Sequence, residues 1–495
     1  MVEENQPGED VSVGFRNVND ILEKIGISNL RILFISGTTA SLWIVSSLLV
    51  FLPVFVDDKV YCGQVGNYSC NPRLANSVSL KDRFNPPEFE RHWFDQSFYI
   101  GSILGTSFVS YLADIYGRKF IGVPSFTLIG IFGLLMRFSP NYHILCFLRF
   151  AQGILFAAAG EVIYVLASES VPHSNHPVLA LVFNLFWALG CCLLSVMSLI
   201  WVNWDELIFY SSLPVTLLPI LLWFVIPESL AYLFEKKKGP EIEKWLSKVN
   251  KVVDEKKRIE YNVRECIDTF HHPIDGEFGE CDNGNRFLKF IRFYKNHPKF
   301  IFYNAGTCYV WSAGFLLYLA MTMNSTSLSG NPYWNFILAS LVELPPSLAA
   351  PILLKRYGRK IPMIWSTSIV AVMSFALIFI NESQYVLYIT VYMTTKGVMA
   401  FNYICLFVYF SEIYPTEVRN TSLGLNNAIG NCGGLLSPMF SEWSKKDPKT
   451  VFILYVFISA SCAIVVKFLP ETSDPSLLQK QTYEDRRHLE QNSSS

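Results

Sequence analysis

The chain has 495 residues, of which 51% are hydrophobic and only 16% charged, and its formal net charge is −1. A soluble protein carries about a quarter charged residues, so water is not the solvent for most of this one, and a near-zero charge with no basic stripe excludes a polyanion-binding role. A mean hydropathy of +0.30 accompanies repeated apolar runs of about 20 residues, each long enough to cross roughly 30 Å of hydrocarbon as a helix.

Residues 1–30 are polar and acidic, with no short apolar core ahead of a small-residue cleavage site, so no removable signal peptide is expected. The apolar run 31–56 then serves as the first anchor. Residues 57–93 form a polar loop placed outside the cell, where Cys62 and Cys70 flank the acceptor sequon Asn67-Tyr-Ser69; a glycan and a disulfide are both permitted there. The other nine of the 11 cysteines lack metal-ligand spacing and read as small apolar packing residues. Runs at 94–113, 120–139, 143–167, 178–202 and 207–226 complete a first set of six. The turns at Asn141–His143 and Asn203–Glu206 lack Lys and Arg, whereas Arg118-Lys119 and Lys236–Lys238 mark the opposite side, which puts the N-terminus in the cytosol.

Residues 227–298 are the one long polar interruption. Within it Ile242, Trp245, Leu246, Val249, Val252 and Val253 recur at helical spacing, and the Gly-rich acidic stretch Asp275–Gly284 reads as a loop. A cytosolic linker follows from this. Further runs at 299–323, 333–354, 361–380, 385–410, 420–440 and 450–469 precede a charged tail, 470–495. The expected fold is an all-α membrane protein of about twelve transmembrane helices in two pseudo-symmetric six-helix bundles, 31–226 and 299–469, with both termini cytosolic and a cavity near the midplane.

The repeat is visible in landmarks as well as in hydropathy. Asp114-Ile-Tyr-Gly-Arg-Lys119 is echoed by Lys355-Arg-Tyr-Gly-Arg-Lys360, each with a glycine where the chain reverses between two apolar runs. Gly117 and Gly358 stand 241 residues apart, Glu228 and Glu471 243, and Glu169 and Glu412 243. A near-constant offset means one unit duplicated, and internal repeats in a membrane protein are a transporter signature.

Four ionisable side chains fall well inside apolar runs: Arg149, Glu161, Glu343 and Lys396. Each would cost about 2.5–3.5 kcal/mol facing lipid at a helix centre, so each is expected to face the interior as a functional candidate. Arg149 and Glu161 share a helix but stand too far apart to touch. Trp187, Tyr309, Trp311 and Tyr403 could line a cavity and offer cation–π contacts, with plain packing as the competing reading. Gly101, Gly105, Gly160, Gly424, Gly430, Gly433 and Gly434 fall where helices would approach closely. No Ser-His-Asp set, metal cluster or phosphate-binding loop is present, so an enzyme, a cofactor and a metal are not expected, nor is a nucleic-acid partner. The sequence specifies no oligomeric state.

The motifs Ser110-Tyr-Leu-Ala-Asp-Ile-Tyr-Gly-Arg-Lys119, Arg149-Phe-Ala-Gln-Gly153, Pro227-Glu-Ser-Leu-Ala-Tyr-Leu233, Val342-Glu-Leu-Pro345 and Ser411-Glu-Ile-Tyr-Pro-Thr-Glu-Val-Arg-Asn420 resemble those of the major facilitator superfamily, in its organic cation/organic anion transporter branch. The resemblance runs from the second helix to the end and implies an alternating-access carrier of a small organic ion in the plasma membrane. It implies a cytosolic gate of Asp114, Gly117, Arg118, Lys119, Glu169 and Glu228, repeated by Gly358, Arg359, Glu412 and Arg419. Lys355 replaces the acid of the second copy, and His176 stands where an Arg is usual. Asn431 occupies the eleventh-helix position at which anion carriers of the branch have a base and cation carriers an acid. Glu161 matches no acid of the branch. With Glu343 and Lys396 able to neutralise one another, Glu161 tips the expected substrate toward an amphiphilic organic cation or zwitterion. The alternatives are an organic anion carrier and a transport-inactive receptor or sensor of the same fold.

Overall fold

The computed structural model describes residues 18–57, 77–251, 293–295, 297–381, 384–414 and 416–472. Cys62, Asn67, Cys70, Val252, Val253, the 275–284 stretch and the tail beyond Thr472 lie outside these residues, as does the side chain of Arg419.

A short helix α1 (Val18–Ile25) precedes six long ones: α2 (Leu30–Phe51), α3 (Trp93–Tyr116), α4 (Arg118–Met136), α5 (Tyr142–Ser168), α6 (His176–Ile200) and α7 (Trp204–Trp223). Two shorter helices, α8 (Leu230–Glu235) and α9 (Gly239–Asn250), lead toward the second set. That set is α10 (Pro298–Asn324), the broken pair α11 (Pro332–Leu341) and α12 (Leu344–Tyr357), α13 (Lys360–Phe379), α14 (Tyr385–Ile413), α15 (Thr416–Lys446) and α16 (Pro448–Phe468). The starts are written locally. Asn29 and Asn141 cap α2 and α5 through their side chains, and α11 and α16 each combine a side-chain cap (Asn331, Asp447) with a proline in the first turn. Pro345 and Pro346 break the eighth span at Glu343, because a proline ring clashes with the carbonyl four residues earlier.

Ten of the spans are long and apolar enough to cross a membrane singly, and α3 joins them as a pair bent by 43° near Ser107. The twelfth, α15, is rich in Asn, Gly and Ser. It can be polar because α10 and α3 pack along it. Packing repeats with the sequence: α2 on α6 and α10 on α15, α4 on α7 and α13 on α16, α3 on α5 and α12 on α14. In the first bundle α3 and α5 touch backbone to backbone, since a side chain at Gly101 or Gly105 would run into the carbonyl oxygens of Phe150 or Ile154. Gly160 and Gly424, by contrast, face open space.

The bundles meet through two matched pairs, α3 with α15 and α6 with the α11–α12 break. At the end of the molecule away from Gly117 and Gly358, one apolar core draws Leu48, Phe51 and Phe98 from the first bundle together with Leu317, Phe336 and Tyr392 from the second. At the end that carries Arg118-Lys119 and Arg359-Lys360, called the basic end below, the cores stay separate: two belong to the first half and two to the second. A cleft between the bundles therefore opens at the basic end. There α9 turns Ile242, Trp245, Leu246 and Val249 against Ile21 and Leu22 of α1.

Candidate functional site

The two glycine turns build the same clamp twice. Gly117 and Gly358 adopt φ of 113° and 79°, a region that favours glycine, and each sits against a carboxylate, Glu228 or Glu471, that a Cβ would crowd. Glu228 accepts the Lys119 N–H at 3.0 Å, and Glu471 accepts the N–H groups of Arg359 and Lys360 at 3.0 and 3.3 Å. An acid at the start of a helix satisfies its unpaired donors and its dipole together. The next residue completes the unit: Ser229 donates to Glu169, and Thr472 donates to Glu412 at 2.8 Å. These hydroxyls belong to the repeated Pro-Glu-Ser/Thr motif, and only their contact shows them to be clamp members.

The arginines differ between copies. Arg359 binds Glu412 with three contacts of 2.9–3.2 Å and Leu354 O at 3.1 Å. Arg118 instead spreads over Asp114 (3.3 Å), Glu169 (3.3 Å) and Glu235 (4.0 Å) and lies over the Tyr232 ring. Burial pushes the Glu169 carboxyl up from its ordinary range, against the pull of Arg118 and Ser229. His176, at the start of α6, donates from Nε2 to Ser168 O at 3.1 Å.

Near the midplane, Lys396 on α14 lies 2.9 Å from Glu343 at the α11–α12 break, with both side chains almost inaccessible. Tyr318 of α10 organises the pair. Its hydroxyl donates to Glu343 at 3.0 Å, its ring lies under the Lys396 ammonium at 3.3 Å, and its carbonyl accepts from that ammonium at 3.4 Å. Trp187 of α6 donates to the Tyr318 hydroxyl at 3.1 Å, and Asn184 donates to Ser347 at 2.6 Å, so the ion pair is tied into the contact between bundles.

Glu161 is different. It is half-buried on α5, and among the described residues it makes no hydrogen bond or ion pair; its electrostatic neighbour is Tyr403 of the opposite bundle, which places it on the cleft. Tyr403 stacks on Tyr318 and Phe315 at 5.4 and 6.1 Å and meets the edge of Phe407. One turn along α5 from Glu161, Tyr164 packs with Trp43 and Phe183, and Trp43 reaches Trp187. An unpaired carboxylate between aromatic walls can hold a cation by charge and by ring quadrupole together.

The Major Facilitator Superfamily model matches residues 32–438. The chain belongs to that superfamily. A Caenorhabditis elegans protein carrying only a provisional transporter name is 29% identical over 81% of this chain and 80% of its own length. Solute carrier family 22 member 2 of Rattus norvegicus is 26% identical over 79% and 68%, and organic cation transporter 1 of Caenorhabditis elegans 24% over 80% and 67%. A proton:xylose symporter superposes with a TM-score of 0.60 at 14% identity, covering 90% of this chain and 98% of that one, and supports the fold alone. This major facilitator protein is thus a multi-pass integral membrane protein of a transporter family whose members move small molecules rather than catalyse reactions.

Within this superfamily member the remaining sequence candidates scatter. Arg149 is buried between the rings of Phe94 and Phe98 and donates to Gln152 (3.0 Å) and Leu49 O (2.8 Å), with the carboxylates of Asp95 and Asp57 near enough to oppose its charge. Asp95 escapes a sequence reading because it sits in the first turn of α3, where an acid is ordinary. Tyr309 departs from the cavity expectation: it turns to α16 and bonds Ser461 at 2.5 Å, on the face that also carries Gly306 against Val465. Trp311 departs likewise, being buried against Gly430, Phe407 and Phe410 as packing. Asn431 is buried and gives its amide N–H to Asn427 O at 3.0 Å on its own helix.

Proposed function

We propose that this protein is an alternating-access transporter of small amphiphilic organic cations or zwitterions, with Glu161 as the charge that meets the substrate. One observation carries this reading: of the two midplane carboxylates, Glu343 is matched by Lys396 at 2.9 Å, while Glu161 has no ionic or hydrogen-bonded partner among the described residues. A cation entering the cleft would replace lost hydration with that carboxylate and with the face of Tyr403, a contact worth about 2 kcal/mol or more when desolvated.

The clustering of Arg118, Lys119, Lys236–Lys238, Arg359 and Lys360 at one end supports placing that end, and both termini, in the cytosol. The cleft would then open inward. In the plasma membrane the cycle would close it by bringing the clamps of Asp114, Gly117, Arg118, Lys119, Glu169 and Glu228 and of Gly358, Arg359, Glu412 and Arg419 against the facing bundle. The rat and nematode relatives with solute carrier family 22 and organic cation transporter names support the substrate class.

The test is uptake of a labelled quaternary ammonium into proteoliposomes. Wild type is expected to give saturable, counterflow-stimulated flux, and Glu161→Gln to raise the KM about tenfold at unchanged protein level, the loss of roughly 1.4 kcal/mol of binding. Flux of organic anions only, or ligand binding without flux, would replace this reading with an anion carrier or a sensor.

A further inference from the structure

A second pocket lies outside the cleft, at the basic end where the first bundle meets the connecting helices. It measures about 600 Å³ and is walled by the start of α2, the start of α4, the end of α7 and one side of α9. Its charge is unbalanced. Lys238 is paired with Glu241 at 3.6 Å, and Glu228 has one oxygen occupied by the N–H groups of Lys119 and Ser229. Arg31, Lys119, Lys244 and Lys248 also line the pocket, and none has a carboxylate within 4.0 Å among the described residues. Lys244 and Lys248 stand one turn apart on the exposed side of α9, and Lys119 feels the attraction of Glu228 as well as the repulsion of Lys248. Five cations line the pocket against the two carboxylates of Glu228 and Glu241, and that excess of positive charge favours a bound anion.

The rim says which kind. Trp223 lies under the Lys119 ammonium at 4.8 Å, and Phe120 and Phe224 stand 56% and 84% exposed where α4 begins and α7 ends. Those rings lie at the ends of two helices long and apolar enough to cross a membrane, the level at which aromatic residues anchor a membrane protein. A free phosphate would use the lysines and leave the rings idle; a lipid uses both. We propose that this pocket holds the phosphorylated headgroup of an anionic phospholipid, with its acyl chains running over Phe120 and Phe224. A bound lipid there would bridge α2, α4 and α9, and so fasten the connecting helices to the first bundle.

The experiment uses the full chain in phosphatidylcholine nanodiscs and follows binding of a short-chain phosphatidylinositol bisphosphate, with its soluble inositol phosphate headgroup, inorganic phosphate and phosphatidylcholine as the other probes. Lys244→Ala/Lys248→Ala is expected to weaken the phosphoinositide about tenfold or more, since each basic side chain near an anionic lipid contributes roughly a factor of five. Arg31→Ala, on a different helix, should weaken it in the same direction, and Lys244→Arg/Lys248→Arg should retain it. Equal binding by wild type and both alanine variants overturns the site. A soluble headgroup that binds as tightly as the lipid overturns the lipid assignment and leaves an anion pocket. Because binding is read without flux, failure here leaves the transport reading standing, and failure of transport leaves this one standing.

Discussion

The two bundles share a helix plan and a clamp, yet they treat charge in opposite ways. In the second, Lys396 is neutralised by Glu343 and Arg359 is committed to Glu412 through three contacts. In the first, Arg118 is divided among three acids at 3.3–4.0 Å, and Glu161 stands on the cleft without an ion pair among the described residues. What both copies keep is the backbone part: a glycine at positive φ and a glutamate on the N–H two residues further on. Duplication preserves what the turn needs, while the charges around it are free to become structure in one half and to stay available in the other.

Thermal unfolding of purified variants can break this contrast. Lys396→Ala should have the largest effect, a loss of about 3–5 kcal/mol, because it strands a buried carboxylate. Glu343→Gln/Lys396→Met should recover most of that loss. Should Lys396→Ala melt like wild type, the pair is not what secures the second bundle. Next in size, Glu412→Ala should cost about 2–3 kcal/mol, since Arg359 would keep only Leu354 O, whereas Glu169→Ala should cost about 1 kcal/mol with Asp114 still holding Arg118. Equal costs would mean that the clamps are energetically the same despite their geometry.

Two smaller effects sharpen the comparison. Lys355→Asp restores an acid four residues before Arg359 and should gain about 0.3–0.5 kcal/mol, lost in high salt; a loss instead would show Lys355 to be part of the second clamp. Glu161→Gln should change stability by less than about 0.5 kcal/mol, because no hydrogen bond or ion pair among the described residues depends on its charge. A melting temperature that falls as far as in Lys396→Ala would make Glu161 a structural charge.

The spans were legible because hydrocarbon thickness fixes their length, and the duplicated turns because glycine alone serves at Gly117 and Gly358. Even the polar helix α15 could be placed, since the repeat requires a counterpart of α6 at that point in the chain. Individual contacts were not legible. Asp95, which opposes Arg149, looked like an ordinary first-turn acid, and Ser229 and Thr472 carried no mark of their hydrogen bonds.

The sequence by itself determined twelve helices, their duplication, their two reversing turns and the presence of four charges that lipid would not tolerate. Only the tertiary structure decided which faces of those helices meet the cleft. Tyr403 is there beside Glu161, while Tyr309 turns to Ser461 and Trp311 is packed under Gly430. The physical reason is that a membrane helix is apolar all round: lipid and protein interior are alike to Leu, Phe or Trp, so periodicity does not mark the inward face and the neighbouring helices choose it.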